Sequence, residues 1–383
     1  MKRVRIPAES PTGLPFTAEQ IHAFRLQRHH LLHRSAKDRS SNDLITICRD
    51  VCGVQAQIMS AAQLQLWARN PAITPAMVND ALWQKRSLVK TTLMRQTLHL
   101  VPSDEFPLYV AAQRKTRVRA VLRVMARMKI TPDEAEGLSS LILGVLDAGP
   151  ATHGAIAAAV RPKVSKRVRA WMDRIWSIVR LPIAEGQICY GYGEGNQATF
   201  IRTDHWLPGQ TQMDEVEAQK ELFRKYLSAY GPATIKDFAH WAGISMVDAR
   251  ALRPLLDAET VEQNGQLLLR KDIKLLNAAP SDQSSVHLLP YFDVYLLAHA
   301  FKDHFLETRL YKRVYRNQGW ISPVVLINGE IAGVWGYQTS RRQIDIAVEL
   351  FEPVSKKIRG QIEGQARALA QLFERTPTIS FKS

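Results

Sequence analysis

Two segments of the chain share one pattern of hydrophobic and polar residues. Each begins with Gly-Pro-Ala-Thr, at residues 149–152 and 231–234, and continues with apolar residues at helical spacing. In each segment a serine that can cap a helix, Ser165 or Ser245, then precedes a second helical stretch. The pattern therefore predicts the same helix-turn-helix in both places.

Strand-like runs follow each pair of predicted helices. Residues 183–192 and 198–202 come after the first pair, and residues 261–262 and 267–269 come after the second. The second set of runs is joined by Asn264-Gly265, which is a strong short signal for a hairpin. A helix-turn-helix followed by a hairpin is a winged helix, whose second helix can enter the major groove of DNA.

A third and more divergent copy precedes these two. Residues 45–54 are apolar at helical spacing, and residues 75–84 predict a second helix with Thr74 as its cap. Residues 87–101 then alternate between apolar and polar side chains, as the strands of a hairpin do. Arg95-Gln96-Thr97 falls where these strands would turn or bulge.

The pattern changes in the C-terminal part of the chain. Residues 323–327 and 331–335 are apolar runs that flank Asn328-Gly329, another hairpin signal. Residues 344–350 alternate as a half-buried strand, and residues 356–374 predict a closing helix. Linked strands of this kind predict a small sheet or barrel.

The pattern as a whole predicts an α+β protein. Its architecture would be three tandem winged-helix units followed by a small C-terminal β-barrel and a closing helix. The expected boundaries are an N-terminal tail at residues 1–15, winged-helix units at 16–135, 136–210 and 211–275, and the barrel at 276–383.

Composition and charge narrow the function. The chain of 383 residues is 46% hydrophobic, which excludes wholesale disorder. It has 51 Lys and Arg against 36 Asp and Glu, a net charge of +15, which favours a polyanionic partner such as nucleic acid. Residues 114–129 include seven basic residues and no acidic one, with apolar residues interleaved at helical spacing. No apolar run approaches the roughly 18 residues that would indicate a membrane-spanning helix.

Two patterns could indicate a metal or a nucleotide cofactor. His29 and His33 are four residues apart, as are Cys48 and Cys52, so a zinc site is geometrically possible. The basic neighbours of the histidines and the apolar neighbours of the cysteines instead favour a solvated face and a core position. The glycine-rich segment 191–195 lacks the strand-to-helix context of a dinucleotide site and predicts a wing tip. We therefore expect neither a metal nor a cofactor.

Gln55-Ala56-Gln57 lies at the end of the predicted helix over residues 45–54 and is the most informative motif. Alone, these glutamines could be ordinary surface residues, but several further motifs accompany them. Together they resemble the AlkZ-like family of bacterial winged-helix DNA glycosylases, over nearly all of the chain after residue 15. The matching motifs are QAQ at 55–57, LWAR at 66–69, RSLVK at 86–90, MRQTLHLVP at 94–102, GPAT at 231–234 with DFA at 237–239, LLPYFDVYLL at 288–297 and PVVLING at 323–329.

The resemblance implies three winged helices and a barrel curved around a DNA channel. It also implies the removal of alkylated bases, including bulky adducts and interstrand crosslinks. The family's catalytic motif is Gln, an aliphatic residue and Gln, which assigns the catalytic role to Gln55 and Gln57. The chain departs from the family where residues 298–304 are longer than the usual form and where Val294 stands at a position expected to be acidic.

The chemistry of such a motif suits one class of substrate. A purine alkylated at N7 or N3 is cationic and is already a good leaving group, so a strong general acid is unnecessary. Two amide side chains can orient an attacking water as donor and acceptor, but they are poor bases. We therefore expect a monofunctional glycosylase in which Gln55 and Gln57 position the water.

The DNA contacts that we expect come from exposed polar side chains in three places. Phosphate binding by Arg and Lys would make affinity depend steeply on salt. The candidates are Arg95, Thr97 and His99 on the first hairpin, Lys166, Arg167 and Arg169 at the start of the second unit's recognition helix, and Arg316, Asn317 and Gln318 at a loop tip of the C-terminal part.

Two alternatives stay open on the sequence. One is a non-enzymatic tandem winged-helix protein such as a transcription regulator, which would bind one DNA sequence regardless of damage. The other, an RNA-binding protein, lacks an aromatic RNA-binding signature. The expected partner is double-stranded DNA carrying alkylated purines. We expect a monomer in the bacterial cytoplasm, associated with the nucleoid, and no membrane or protein partner.

Overall fold

The structure is a computed structural model that describes residues 16–32, 41–173, 178–194, 197–279 and 284–382. The predicted tail at residues 1–15, His33 and Gly195 lie outside these ranges. The helices are α1 (Ala18–Arg28), α2 (Ser41–Asp50), α3 (Met59–Arg69), α4 (Pro75–Trp83), α5 (Phe106–Arg127), α6 (Pro132–Leu146), α7 (His153–Val160), α8 (Lys166–Met172), α9 (Arg180–Ala184), α10 (Thr203–Trp206), α11 (Glu215–Tyr230), α12 (Ile235–Ala242), α13 (Met246–Leu252), α14 (Ile273–Asn277), α15 (Tyr311–Val314) and α16 (Lys356–Leu372). The strands are β1 (Val54–Gln55), β2 (Leu88–Thr92), β3 (Leu98–Pro102), β4 (Ala151–Thr152), β5 (Ile188–Glu194), β6 (Gln197–Arg202), β7 (Ala233–Thr234), β8 (Thr260–Gln263), β9 (Gln266–Leu269), β10 (Val286–Leu289), β11 (Val324–Ile327), β12 (Glu330–Thr339), β13 (Gln343–Leu350) and β14 (Thr376–Lys382).

Three small sheets repeat one arrangement. Their strand orders are β1-β3-β2, β4-β6-β5 and β7-β9-β8, and in each a short first strand is followed by helices and then by a hairpin. The predicted caps Thr74, Ser165 and Ser245 each accept a hydrogen bond from a backbone N–H of the helix that follows. The repeated pattern in the sequence is thus a repeated order of elements in the fold.

The helix expected over residues 45–54 is wrong at its C-terminal end. Helix α2 stops at Asp50, and Cys52 and Gly53 have φ values of 59° and 86°. A Cβ on Gly53 would lie 2.7 Å from Cγ1 of Val101, so glycine permits the close approach of this turn to β3. Residues 54 and 55 then form β1, and Gln55 lies on a strand rather than at a helix end.

The long basic segment forms most of helix α5. Val121 and Met125 are buried on its apolar face, as the spacing predicts. Arg117 departs from the predicted exposed basic face, because its guanidinium is buried and donates from Nη2 to the carbonyl of Ile183 over 3.2 Å. In the described residues no helix has the length and apolar character needed to cross a bilayer.

The C-terminal part is an open sheet in the described residues, and no closed barrel is found there. Its order is β10-β11-β12-β13-β14, antiparallel except for the parallel pair β13 and β14. Helix α16 is the crossover that a parallel pair requires, and its Ile362, Ala366 and Leu369 are buried in the same core as β10. A helix over the sheet face buries the apolar side chains that closure of a barrel would otherwise enclose.

An aromatic cluster joins the third repeat to the first. Tyr226 and Tyr230 of α11 lie 5.1 and 5.9 Å from the ring of Trp241. The Tyr230 hydroxyl donates to the carbonyl of Val51 over 2.8 Å, just before β1. These contacts hold the segment that leads into β1 against the third repeat.

Candidate active site

Strand β1 places the two glutamines in different environments. Val54 pairs with Leu100 and Gln55 with His99, and the N–H of Ala56 donates to the carbonyl of Leu98 over 2.7 Å. Gln55 is 4% exposed, whereas Gln57 is exposed. One amide therefore belongs to the interior and the other to the surface.

Packing explains why the residue between the two glutamines is small. Ala56 is fully buried in the core that includes Leu66 and Leu100. A long side chain there would have to displace these neighbours. A small buried residue at the central position thus anchors the chain between the two glutamines.

The Gln55 side chain is oriented by Arg95. Nη2 of Arg95 donates to Oε1 of Gln55 over 3.0 Å, and Nη1 donates to the carbonyl of Trp241 over 2.7 Å. Arginine has donors only, so the amide oxygen of Gln55 faces the guanidinium and its amide NH₂ points away from it. The contact fixes which end of the Gln55 amide is offered to the surroundings.

Arg95 reaches this position from a strained turn. Arg95 and Gln96 have φ values of 56° and 61°, and the N–H of Thr97 donates to the carbonyl of Met94 over 3.1 Å. Turns of this kind favour Asn and Gly at the central positions, and a non-glycine residue there costs on the order of 1–2 kcal/mol. Strain of this kind persists only where surrounding contacts over-determine the conformation.

Gly243, which ends α12, is the contact that holds the turn. A Cβ built on Gly243 would lie 2.8 Å from the backbone nitrogen of Arg95 and 2.9 Å from its Cα. The φ of Gly243 is +73°, which also favours glycine. The third repeat therefore packs directly against the backbone that presents Arg95.

His99 lies inside the protein next to this arrangement. It is 1% exposed, and its Nδ1 lies 2.9 Å from the carbonyl of Thr97. Burial and then the charge of Arg95 lower the pKa of His99 to about 3, so the ring is neutral at pH 7. Burial also lowers the pKa of Arg95 to about 10, which leaves its guanidinium charged at pH 7.

The three DNA-contact candidates of the first hairpin thus point largely inward. His99 is buried, Thr97 is half-buried with its hydroxyl donating to the carbonyl of Met94, and Arg95 bridges Gln55 and Trp241. The exposed side chain of the turn is Gln96. The structure brings Arg95 and His99 to Gln55 rather than to an outer surface.

A buried polar network contacts the backbone of Gln55. Nε2 of Gln65 donates to the carbonyl of Gln55 over 3.0 Å, and Oε1 of Gln65 accepts from the N–H of Val294 over 3.3 Å. Arg69 and Asp293 form a two-bonded ion pair at 2.8 Å, with both side chains fully buried, and Arg69 also donates to the carbonyl of Gln65. Asp293 is thus an internal partner, and Val294 contributes its backbone.

Sequence reasoning did not assign Gln65 or Arg69 to the site. The available signal was that Gln65 and Arg69 alternate with apolar residues on α3, where polar side chains must find partners when buried. Both lie near or within the matched motif at residues 66–69.

Lys302 is also turned inward. Its Nζ donates to the carbonyl of Leu296 over 3.0 Å and to that of His299, and it lies 5.3 Å from the ring centre of Tyr315. Burial and then the charge of Arg95 lower the pKa of Lys302 to about 7, against the opposing effect of Asp237. The amine of Lys302 therefore donates its hydrogen bonds to carbonyls of its own loop.

The remaining DNA-contact candidates are exposed and lie on separate elements. Lys166, Arg167 and Arg169 occupy the first turn of α8, where Arg167 is 3.7 Å from Glu134. Arg316, Asn317 and Gln318 form an exposed turn in which Gln318 has a φ of 58° and Nε of Arg316 donates to Oγ of Ser322. The structure does not bring either set to Gln55.

The residues whose spacing could indicate a zinc site lie in other surroundings. Cys48 and Cys52 are buried in cores, and burial raises the pKa of each thiol to about 12. His29 is buried against the rings of Tyr230 and Tyr295. Across the residues that the structure describes, no group of three His, Cys, Asp or Glu side chains is close enough to hold a metal ion.

Comparison with known proteins reveals relatives over most of the chain. The model of a family described as DNA glycosylase AlkZ-like matches residues 48–372. An interstrand DNA cross-link repair glycosylase of Streptomyces sahachiroi is 31% identical over 330 residues, which cover 82% of this chain and 86% of that protein. The solved structure of Streptomyces sahachiroi DNA glycosylase AlkZ is similar with a TM-score of 0.82 and 26% identity, over 95% of this chain and 99% of that one.

Proposed function

The chain belongs to the AlkZ-like DNA glycosylase family and is therefore a hydrolase of N-glycosyl bonds in DNA, and we propose that its substrates are purines made cationic by alkylation at N7 or N3. Gln55 and Gln57 are the catalytic residues in this proposal. The family membership disfavours the alternatives of a regulator and an RNA-binding protein.

The observation that carries the proposal is the pairing of Gln55 with Arg95 and His99. At pH 7 the guanidinium stays charged and the imidazole stays neutral, so neither is a proton donor of useful strength. A purine that leaves without being protonated departs far more readily when it already carries positive charge. The groups around Gln55 therefore suit a cationic alkylpurine and do not suit an unmodified base.

The two glutamines divide the positioning of water between them. The Gln55 amide oxygen accepts from Arg95, so Gln55 offers its NH₂ group to a ligand. Gln57 is exposed, and its Oε1 lies 3.4 Å from the N–H of Leu98 at the edge of the hairpin. An attacking water held between these amides would be oriented without being deprotonated in advance.

The reaction is monofunctional in this proposal. A lyase needs an amine that can attack the sugar. Lys302, which lies near Arg95, directs its amine to two carbonyls of its own loop. Water is then the nucleophile.

The exposure of Gln57 favours large lesions. A base crosslinked to the opposite strand cannot be turned into an enclosed pocket, so it can be reached only at an open site. The relative from Streptomyces sahachiroi is named for repair of interstrand crosslinks. We extend that substrate class to this chain, together with bulky adducts.

DNA binding would come from the three repeats acting as winged helices. The exposed residues Lys166, Arg167 and Arg169 on α8 would contact phosphates, and the turn at residues 316–318 would probe a groove. Arg95, Thr97 and His99 would border the lesion. The protein would act as a monomer, because three DNA-binding units in one chain need no dimer. It would work in the bacterial cytoplasm.

The test is a single-turnover assay on a duplex that contains N7-methylguanine, with a second duplex that contains an N7-linked interstrand crosslink. Wild type should release the free base, and Gln55→Ala or Gln57→Ala should slow release by about 100-fold or more while DNA affinity stays nearly unchanged. Gln84→Ala, which removes an exposed glutamine at the end of α4, is the matched control. Equal losses of binding and excision in the Gln55 and Gln57 variants would contradict the assignment.

A further inference from the structure

The segment at residues 298–304 is anchored along its backbone. The carbonyl of Ala298 accepts from the Tyr226 hydroxyl over 3.1 Å, and the N–H of Ala300 donates to Oδ1 of Asp237 over 2.7 Å. Nε2 of His299 lies 3.1 Å from the carbonyl of Tyr230. The inward Lys302 amine closes the segment onto itself. Its conformation is therefore set before any ligand binds.

Phe301 stands out from this fixed segment. It is 59% exposed, and it is the most exposed phenylalanine in the described residues. A single exposed apolar side chain on a mobile loop would need no explanation. Here a rigid backbone holds an aromatic ring in water, flanked by the inward residues 300 and 302.

A lysine lies against the ring of Phe301. Nζ of Lys236 lies 4.2 Å from the centre of the ring, in the geometry of a cation–π contact. Lys236 and His240 are exposed and one turn apart on α12. The ring is thus placed on a surface that attracts a polyanion.

This surface adjoins the candidate active site. Helix α12, which carries Lys236 and His240, packs against the turn at residues 94–96 that presents Arg95. The residue after His240, Trp241, accepts from Arg95, and Arg95 donates to Gln55. Phe301 therefore borders the site on the side of the third repeat.

We propose that Phe301 stacks on a nucleobase of the bound duplex, next to the alkylated purine. The inference rests on the proposed function for the position of that purine. Every nucleobase offers a π face, so an aromatic side chain can stack on it without reading sequence, while the Lys236 ammonium attracts a neighbouring phosphate. A ring inserted beside the lesion would hold the damaged nucleotide at Gln55 and Gln57 even when the base cannot be flipped.

The first measurement uses a duplex with 2-aminopurine beside N7-methylguanine, whose fluorescence reports how that neighbour is stacked. Wild type should change the fluorescence on binding, before base release, and Phe301→Ala should abolish the change. Phe301→Ala should also weaken binding to this duplex by about 5- to 150-fold and slow excision. Phe301→Trp should retain the signal, because it keeps a stacking ring.

Leu275→Ala is the matched control, because it truncates an exposed apolar side chain on α14. It should leave fluorescence, binding and excision as in wild type. Equal fluorescence changes and equal affinities for wild type and Phe301→Ala would overturn the proposal and leave the ring available to a protein partner.

The same samples separate the two proposals. Base release by wild type tests the proposed function, whereas the fluorescence change requires binding alone. Normal excision with no effect of Phe301→Ala would remove only the stacking role. A stacking signal without base release would remove only the proposed function for this lesion.

Discussion

Nη2 of Arg95 and Oε1 of Gln55 lie 3.0 Å apart, and this hydrogen bond joins two residues that the chain separates by a whole helix-turn-helix. Because the guanidinium also donates to the carbonyl of Trp241, the orientation of the Gln55 amide depends on the third repeat. Arg95 is therefore a positioning residue in our interpretation.

Arg95→Lys should slow excision while DNA binding persists. Lysine keeps the positive charge, but a single ammonium lacks the planar fork that serves Gln55 and Trp241 together. We expect the maximal single-turnover rate to fall by about 10- to 100-fold and the dissociation constant for DNA to change by less than about threefold. The two quantities come from one titration of enzyme against lesion-containing duplex.

Gln96→Asn is the control for Arg95→Lys, because Gln96 is exposed in the same turn and asparagine tolerates its positive φ. It should leave the rate unchanged. An unchanged rate in Arg95→Lys, with weakened binding in Arg95→Ala, would instead identify Arg95 as a phosphate contact.

Gly243→Ala should damage both stability and excision. The new methyl group would lie within 3 Å of the Arg95 backbone, whereas a methyl group on Gly265 would meet nothing within 4 Å. Both glycines have φ near +75°, at +73° and +77°, so Gly265→Ala isolates the backbone cost of about 1–2 kcal/mol. Gly243→Ala should lose roughly 1–3 kcal/mol more in urea unfolding and should also slow excision. Equal losses in the two variants would show that the contact with Arg95 is unimportant.

Asp293→Asn should be among the most destabilising single changes. It leaves the fully buried Arg69 guanidinium without its charge partner, which costs about 3–5 kcal/mol. Glu352→Gln, which breaks an exposed pair with Arg309, should cost at most about 1 kcal/mol. Chemical unfolding monitored by circular dichroism measures the free energy of unfolding of both variants. A double change of Arg69 and Asp293 to apolar residues should recover part of the lost stability. If it does not, the unpaired charge of Arg69 is not the main cause of the loss.

Acid should destabilise the fold well above the pH at which carboxylates protonate. The pKa of His22 is lowered to about 4 by burial and Arg25, and that of His99 to about 3 by burial and Arg95. Unfolded histidines titrate near 6.5, so below that pH the unfolded chain binds more protons. The stability contribution is complete above pH 6.5 and declines towards those lowered values, by about 1.4 kcal/mol per pH unit for each residue. Urea unfolding between pH 7 and 5 gives the slope, which should be shallower in His99→Gln; an identical slope in that variant would contradict the burial of a neutral ring.

Local signals account for what the sequence predicts well. The Gly-Pro-Ala-Thr repeats, the capping residues and the Asn-Gly turns act within a few residues, and the elements they predict are confirmed. The strand β14 was missed, because Pro377 weakens its pattern and its parallel pairing depends on a crossover helix. The end of α2 was missed because an apolar run reads as helix until the left-handed turn at Gly53 interrupts it.

The site is harder to predict because its contacts are distant in sequence. The motif at residues 55–57 could be chosen as the candidate site, and Arg95 could be placed at a turn. That the Arg95 side chain points inward depends on Gly243 and Trp241, which lie about 150 residues further along the chain. No local pattern encodes that approach, and for the same reason Gln65 and Asp293 could not be joined to Gln55 in advance.

The salt dependence of binding should distinguish phosphate contacts from positioning residues. Each lost phosphate contact reduces the slope of log affinity against log salt by about 1. Lys166→Ala and Arg167→Ala remove exposed charges on the first turn of α8, so the double variant should lower the slope by about 2 and leave the excision rate at saturating enzyme unchanged. Arg367→Ala removes an exposed charge on α16 that is paired with Glu363, and it should leave the slope unchanged. Fluorescence anisotropy from 50 to 200 mM salt measures all three proteins. If Arg367→Ala changes the slope as much per charge as the α8 variant does, binding follows net charge and α8 is not a specific contact.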